Sequence, residues 1–214
     1  MKEVITVKEV SKSYKNQKVL DNITVSFEQG QIHGIIGRNG SGKTVLIKTI
    51  CGFVHPDNGL VTVEDKVIGK DMDFPQSIGV IIEAPGFLPT LSAFKNLKYL
   101  ASLKSKIGDS EIKNAISLVG LKPEEKKAVG KYSLGMKQRL GIAQAIMENP
   151  NILILDEPMN GLDKQGASEI RDLLLSFKNQ GKTIIIVSHN AEDIKMLCDT
   201  VYEMDQGSLS KLQF

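Results

Sequence analysis

A glycine-rich octapeptide constrains this chain more than any other feature. Gly37-Arg38-Asn39-Gly40-Ser41-Gly42-Lys43-Thr44 fits the pattern G-x-x-x-x-G-K-[ST]. It follows the apolar run Ile32 to Ile36 and precedes a helical pattern over Thr44 to Ile50. Strand, loop and helix in that order are the context the motif needs. Glycines let the backbone wrap closely, so that successive N–H groups point at phosphate oxygens. The helix N-terminus adds partial positive charge. Lys43 is expected on the β- and γ-phosphates, and the Thr44 hydroxyl on Mg²⁺. A chance Gly-rich turn is the bland alternative, and the flanking pattern argues against it.

A second motif supports the first. Ile152 to Leu155 is an apolar strand that ends in Asp156-Glu157-Pro158. Ligands in α/β sheets sit beyond the carboxyl ends of strands. Asp156 is placed to hold Mg²⁺, directly or through water. Glu157 is a candidate general base for an attacking water. Alone, the pair would read equally well as a charged strand boundary. His189 follows another apolar strand, Thr183 to Val187, in a position that mirrors Asp156.

Between and around these motifs the periodicity predicts an α/β frame. Ile23, Val25 and Phe27 alternate with polar residues as in a half-buried strand, and Gln29-Gly30 turns the chain. Val61 to Val63 and Lys66 to Ile68 flank Glu64-Asp65 as a hairpin, and Ile78 to Ile82 is a short strand. Residues from about 90 to 149 read as helical. Ile112, Ala115, Ile116 and Val119 share one face, closed by Gly120; Leu140, Ala143 and Ile146 or Met147 share another, stopped by Asn149-Pro150. Strand and helix alternate afterwards, with helices from about Lys164 to Asn179 and after Asn190. Continuous apolar strands between helices indicate a buried parallel sheet. The helical block is expected to be a subdomain inserted in one domain spanning 1–214.

Composition narrows the classes further. With 27 Lys+Arg against 25 Asp+Glu, the net charge is +2, and 41% of the 214 residues are hydrophobic. This balance gives no basic footprint for nucleic acid, so none is expected as a partner. Cys51 and Cys198 are far apart, outside any metal-ligand spacing, and read as structural thiols of a reducing compartment. The N-terminal residues lack a signal-peptide pattern, and no apolar run approaches the roughly 18 residues of a membrane helix. A cytoplasmic chain is expected.

Together these motifs resemble the ATP-binding subunit of an ABC transporter, over essentially the whole chain from Tyr14 onward. Tyr132 to Arg139 resembles the family signature, and Met159-Asn160-Gly161-Leu162-Asp163 its D-loop. His189 resembles its switch histidine, and Tyr14 its adenine-stacking aromatic. The resemblance implies a P-loop NTPase fold: a mainly parallel core sheet, an antiparallel β subdomain and the inserted helical subdomain. It implies ATP and Mg²⁺ as ligands. Ser133 and Gly135 would grip the γ-phosphate held by a second copy, or by a similar chain. One phosphate loop and one signature per chain make each site need two chains, head to tail. Gly161 and Asp163 would then lie at the interface. His189 would orient the water that Glu157 activates. Read from the residues alone, Ser133 is equally a simple helix N-cap and Tyr14 an ordinary exposed aromatic.

Two departures from the family pattern stand out. Glu83 replaces the usual Gln, and with the following Ala-Pro-Gly-Phe it resembles the bacitracin-resistance and lantibiotic-immunity branch. A carboxylate beside a triphosphate is repelled unless a cation intervenes, so Glu83 is a further candidate Mg²⁺ ligand, or a silent substitution. Leu134 and Met136 stand where the commonest signature has Gly and Gln. The implied activity is ATP hydrolysis that drives export of a peptide antibiotic or other amphipathic drug through a separate membrane permease. The chain would sit on the inner membrane face through that permease, docked by Glu83 to Pro89 and the helical block, with Phe87 and Leu88 either as contacts or packed internally. A soluble ABC-type ATPase acting in assembly is the alternative.

Overall fold

The computed structural model describes residues 2–15, 17–83, 86–104 and 107–212. Strands β1 (Glu3–Tyr14), β2 (Gln17–Glu28) and β3 (Ile32–Ile36) open the chain, followed by helix α1 (Lys43–Ile50). Strands β4 (Asn58–Val63), β5 (Lys66–Val67) and β6 (Ile78–Ile81) come next. Helices α2 (Ala93–Lys104), α3 (Asp109–Leu118) and α4 (Leu134–Ile146) form the expected helical block. The remaining elements are β7 (Ile152–Asp156), α5 (Lys164–Asn179), β8 (Thr183–Val187), α6 (Ala191–Leu197), β9 (Thr200–Asp205) and β10 (Ser208–Leu212).

Two sheets result. The larger has the order β10-β9-β3-β8-β7-β6, and all its pairings are parallel except β10 with β9. The smaller is antiparallel, in the order β2-β1-β4-β5. Strand periodicity explains the layering. Ile184 and Ile186 of β8 join the cluster made with α2 to α5, whereas Ile185 and Val187 face the cluster made with α1 and the small sheet. The core strands are apolar throughout because both faces are covered. The expected stripes Ile112, Ala115, Ile116, Val119 and Leu140, Ala143, Ile146, Met147 are all buried.

Helix ends follow local chemistry. The Ser133 hydroxyl caps α4 by accepting from the Met136 N–H at 3.2 Å, and Asp163 Oδ1 caps α5 by accepting from the Gly166 N–H at 2.8 Å. The hairpin β9–β10 was not anticipated by the sequence reading, and it closes the parallel sheet at one edge. Cys51 is buried and Cys198 half-buried, both free, and burial pushes both thiols up to about 12.

His33 on β3 is a buried titratable group with a stability consequence. Its Nδ1 lies 2.6 Å from Thr200 Oγ1 and its Nε2 3.0 Å from the Glu28 carbonyl. Burial holds its pKa below the ordinary value. A depressed histidine leaves stability intact above about 6.5 and erodes it as pH falls from there, because the unfolded chain binds the proton more readily. Urea midpoints at pH about 7.5 and about 5.5 are expected to differ more for wild type than for His33→Gln. Equal slopes would contradict this.

Candidate functional site

The phosphate loop joins β3 to α1. Gly37, Gly40 and Gly42 have φ of 144°, 80° and 114°, values an L side chain rarely adopts. A Cβ on Gly37 would meet the Met204 carbonyl oxygen at 2.2 Å, and one on Gly42 the Val19 oxygen at 2.7 Å. The β2 strand and the C-terminal hairpin therefore back the loop directly. Gly207, in the β9–β10 turn, donates its N–H to the Ser41 carbonyl at 3.0 Å. No side chain caps α1, and no acidic residue stands in its first turn. Its N-terminus is thus suited to an anion.

The loop's polar groups are arranged for a ligand. Lys43 is buried, with its Nζ donating to the carbonyls of Gly37 at 2.7 Å and Arg38 at 2.9 Å. Burial lowers its pKa, against the raising effect of Asp156 and Glu157. Ser41 Oγ is buried with no hydrogen-bond partner, an orphan that a phosphate oxygen would satisfy. Arg38, Asn39 and Gly40 are more accessible, and a Cβ on Gly40 would meet open space. Thr44 is half-buried on the first turn of α1. These observations fit a polyphosphate.

The carboxylates stand at the end of β7. Burial raises the pKa of Asp156, reinforced by the charges of Glu157 and Glu83; the Glu83 backbone N–H hydrogen bond and Lys43 oppose it. Glu157 leaves the strand with φ 49°, an uncommon conformation held from both sides. Its N–H donates to the Val187 carbonyl at 2.8 Å, and its own carbonyl accepts from Gln138 Nε2 at 3.1 Å. Its Oε1 lies 2.7 Å from His189 Nδ1 and accepts the His189 backbone N–H at 3.1 Å. The structure thus brings Glu157 and His189 into one hydrogen-bonded pair. The His189 side chain is largely exposed.

Other expected residues lie further out. Tyr14 is exposed at the end of β1, with Lys12 Nζ 5.7 Å from its ring centroid. It sits on the hairpin whose second strand backs Gly42. Gly135 packs against the 159–163 turn, where a Cβ on it would meet the Gly161 oxygen at 2.7 Å. Leu134 lies against Gly161 yet remains 65% exposed. Glu83 Oε1 is 2.7 Å from Lys48 Nζ. Among the described residues, no group of three His, Cys, Asp or Glu side chains forms a metal cage. The residues named for a cation, Thr44, Asp156 and Glu83, contribute one hydroxyl and two carboxylates. The sequence reading missed Gln138, Lys48 and Gly207. Gln138 lay inside the Tyr132 to Arg139 signature without a role of its own, and Gly207 carried the local signal of a Gln-Gly turn.

An apolar groove of about 870 Å³ lies beside the helical block, lined by Phe53, Phe74, Pro75, Ile82, Leu100 and Leu103 among others. Neither Phe87 nor Leu88 lines it: Phe87 packs half-buried on the helical cluster, and Leu88 is held by hydrogen bonds with Asn96. Ala84 and Pro85 lie outside the described residues.

A phosphate loop and an acidic strand end on a parallel sheet, with a signature-capped helix beside them, define a nucleotide-binding ATPase cassette. The ABC transporter family model matches residues 20–160. An uncharacterized ABC transporter ATP-binding protein of Bacillus subtilis is 48% identical over 206 residues, covering 96% of this chain and 94% of that protein. The bacitracin transport ATP-binding protein of Enterococcus faecalis is 42% identical, over 98% of this chain and 68% of its own length. A lantibiotic transport ATP-binding protein of Streptococcus pyogenes is 35% identical, over 96% and 89%. A solved dimeric bacterial ABC transporter cassette superposes with TM-score 0.88 at 23% identity, over 98% of this chain and 99% of that one, and shows the same fold. The chain belongs to the ABC transporter family, as an ATP-binding subunit.

Proposed function

We propose that the chain binds and hydrolyses ATP in a site shared between two copies, and that turnover powers export of a peptide antibiotic or similar amphipathic compound through a separate permease. The carrying observation is the order β3-β8-β7: three parallel neighbours present the phosphate loop, His189 and Asp156-Glu157 side by side at their carboxyl ends. Lys43, the loop amides and Ser41 bind the β- and γ-phosphates, and Tyr14 stacks on adenine. Thr44 and Asp156 hold Mg²⁺, with Glu83 nearby; the ion supplies neutralisation of phosphate charge. Glu157 takes the proton of the attacking water, and the His189 pair keeps its carboxylate oriented. Ser133 and Gly135 of the other copy complete the enclosure of the γ-phosphate.

The bacitracin and lantibiotic relatives support the substrate class. The exposed aromatic pair Phe53–Phe74, 5.8 Å between centroids at one wall of the apolar groove, supports docking of a permease segment there. Among the described residues no helix is long and apolar enough to cross a membrane, which fits a separate pathway.

Two measurements test the shared site. Turnover per chain is expected to fall on dilution. Cysteines placed by Asn39→Cys and Ser133→Cys are expected to crosslink between chains when ATP is present. The native thiols, one buried and one half-buried, are controlled for by the same experiment on the chain without the two substitutions. Constant turnover on extreme dilution without crosslinks would refute the proposal.

A further inference from the structure

Glu83 carries a negative charge in a crowded acidic corner. It follows β6 in a left-handed conformation, φ 61°, and its backbone N–H favours the charged form of Asp156. Its charge and that of Glu157 both raise the Asp156 pKa, so the three carboxylates feel one another. A polyphosphate entering the loop would meet that charge too. Lys43, assigned above to the phosphates, donates here to the Gly37 and Arg38 carbonyls. Lys48 is the cation on Glu83, at 2.7 Å, with side-chain exposures of 33% and 64%. It lies one helical turn beyond Thr44 on α1.

We propose that Lys48 is a positioning residue for Glu83: it anchors the carboxylate on α1 and supplies the counter-charge that lets a carboxylate stand beside the nucleotide site. This rests on the ATP-binding reading above. The consequence is a dependence between two residues 35 apart in sequence. Without Lys48, Glu83 is free to turn toward the nucleotide; without Glu83, only the direct attraction of the Lys48 charge is left to lose.

The test is a fluorescence titration of the full chain with a labelled ATP in EDTA, at low salt. Lys48→Met is expected to weaken binding about fivefold, the scale of one uncompensated charge near a polyanion in a solvent-screened setting. In the Glu83→Gln background the same change is expected to cost clearly less, about twofold, because the Lys48 charge is still lost to the polyanion but no carboxylate is released toward it. Lys48→Arg, which keeps the charge, is expected to bind as wild type does. Equal losses in both backgrounds would overturn the inference, as would no loss in either, or a Lys48→Arg variant as weak as Lys48→Met. A wild-type chain that binds no labelled ATP would defeat the ATP reading itself and the inference with it.

Discussion

Glu157→Gln is expected to abolish most ATP turnover while ATP still binds. The loss should be roughly a hundred- to ten-thousandfold, the range for removing a positioned general base. The substitution is nearly isosteric, and the geometry explains why it should be selective. The Glu157 backbone is fixed through Val187 and Gln138, independently of the side-chain charge. An amide oxygen can still accept from the His189 N–H groups that Glu157 Oε1 now serves. What is lost is the ability to take a proton. If the enclosed site needs two chains, ATP held but not cleaved should keep them together, and gel filtration with Mg-ATP should show a dimer. A strictly monomeric variant with full activity would contradict both the base and the shared site.

Gly79→Ala is expected to cost about 3 kcal/mol, the upper end for overpacking a core by one methyl group. Gly79 lies in β6 beneath α4. A Cβ there would sit 2.0 Å from the Ala145 carbonyl oxygen and 2.8 Å from Leu153 Cδ2. The first neighbour is helix backbone, so relief requires shifting α4 rather than turning one side chain. Urea unfolding measures the loss directly. Because α4 carries Ser133 at its N-cap and Gln138 on its second turn, surviving folded protein should also hydrolyse ATP less well. An unchanged midpoint would mean that α4 rides on the sheet less tightly than the packing indicates.

Local patterns carried much of the frame. Ile152 to Leu155 and Thr183 to Val187 are apolar at every position because both sheet faces are covered, and that continuity is visible in one dimension. Gly120 and Gly181 take left-handed φ just past helices that the periodicity had already ended there. The C-terminal hairpin was harder to read. In β9, Val201 and Tyr202 are adjacent yet both buried, which blurs the alternation a half-buried strand would show. Its value lies in delivering Met204 and Gly207 to the phosphate loop, contacts that span more than 160 residues.

Within the site, motif residues could be named in advance, but their partners could not. Lys48 beside Glu83 and Gln138 beneath Glu157 are ordinary polar residues on helices until tertiary packing places them. The groove shows the same limit. Hydrophobicity near Glu83 pointed to Phe87 and Leu88, of which Leu88 is exposed; the exposed pair Phe53 and Phe74, on the connections that follow α1 and precede β6, carried no such cue.

The hydrogen bond from the Gln138 side-chain amide to the Glu157 carbonyl has a mechanical meaning. The helix that starts at Ser133 is tethered, in its second turn, to the backbone of Glu157, the proposed proton acceptor of the same chain. Tugging that serine toward a neighbour's phosphate would strain the lever at home. Two pockets built this way would be geared to each other, each sensing whether the other is loaded.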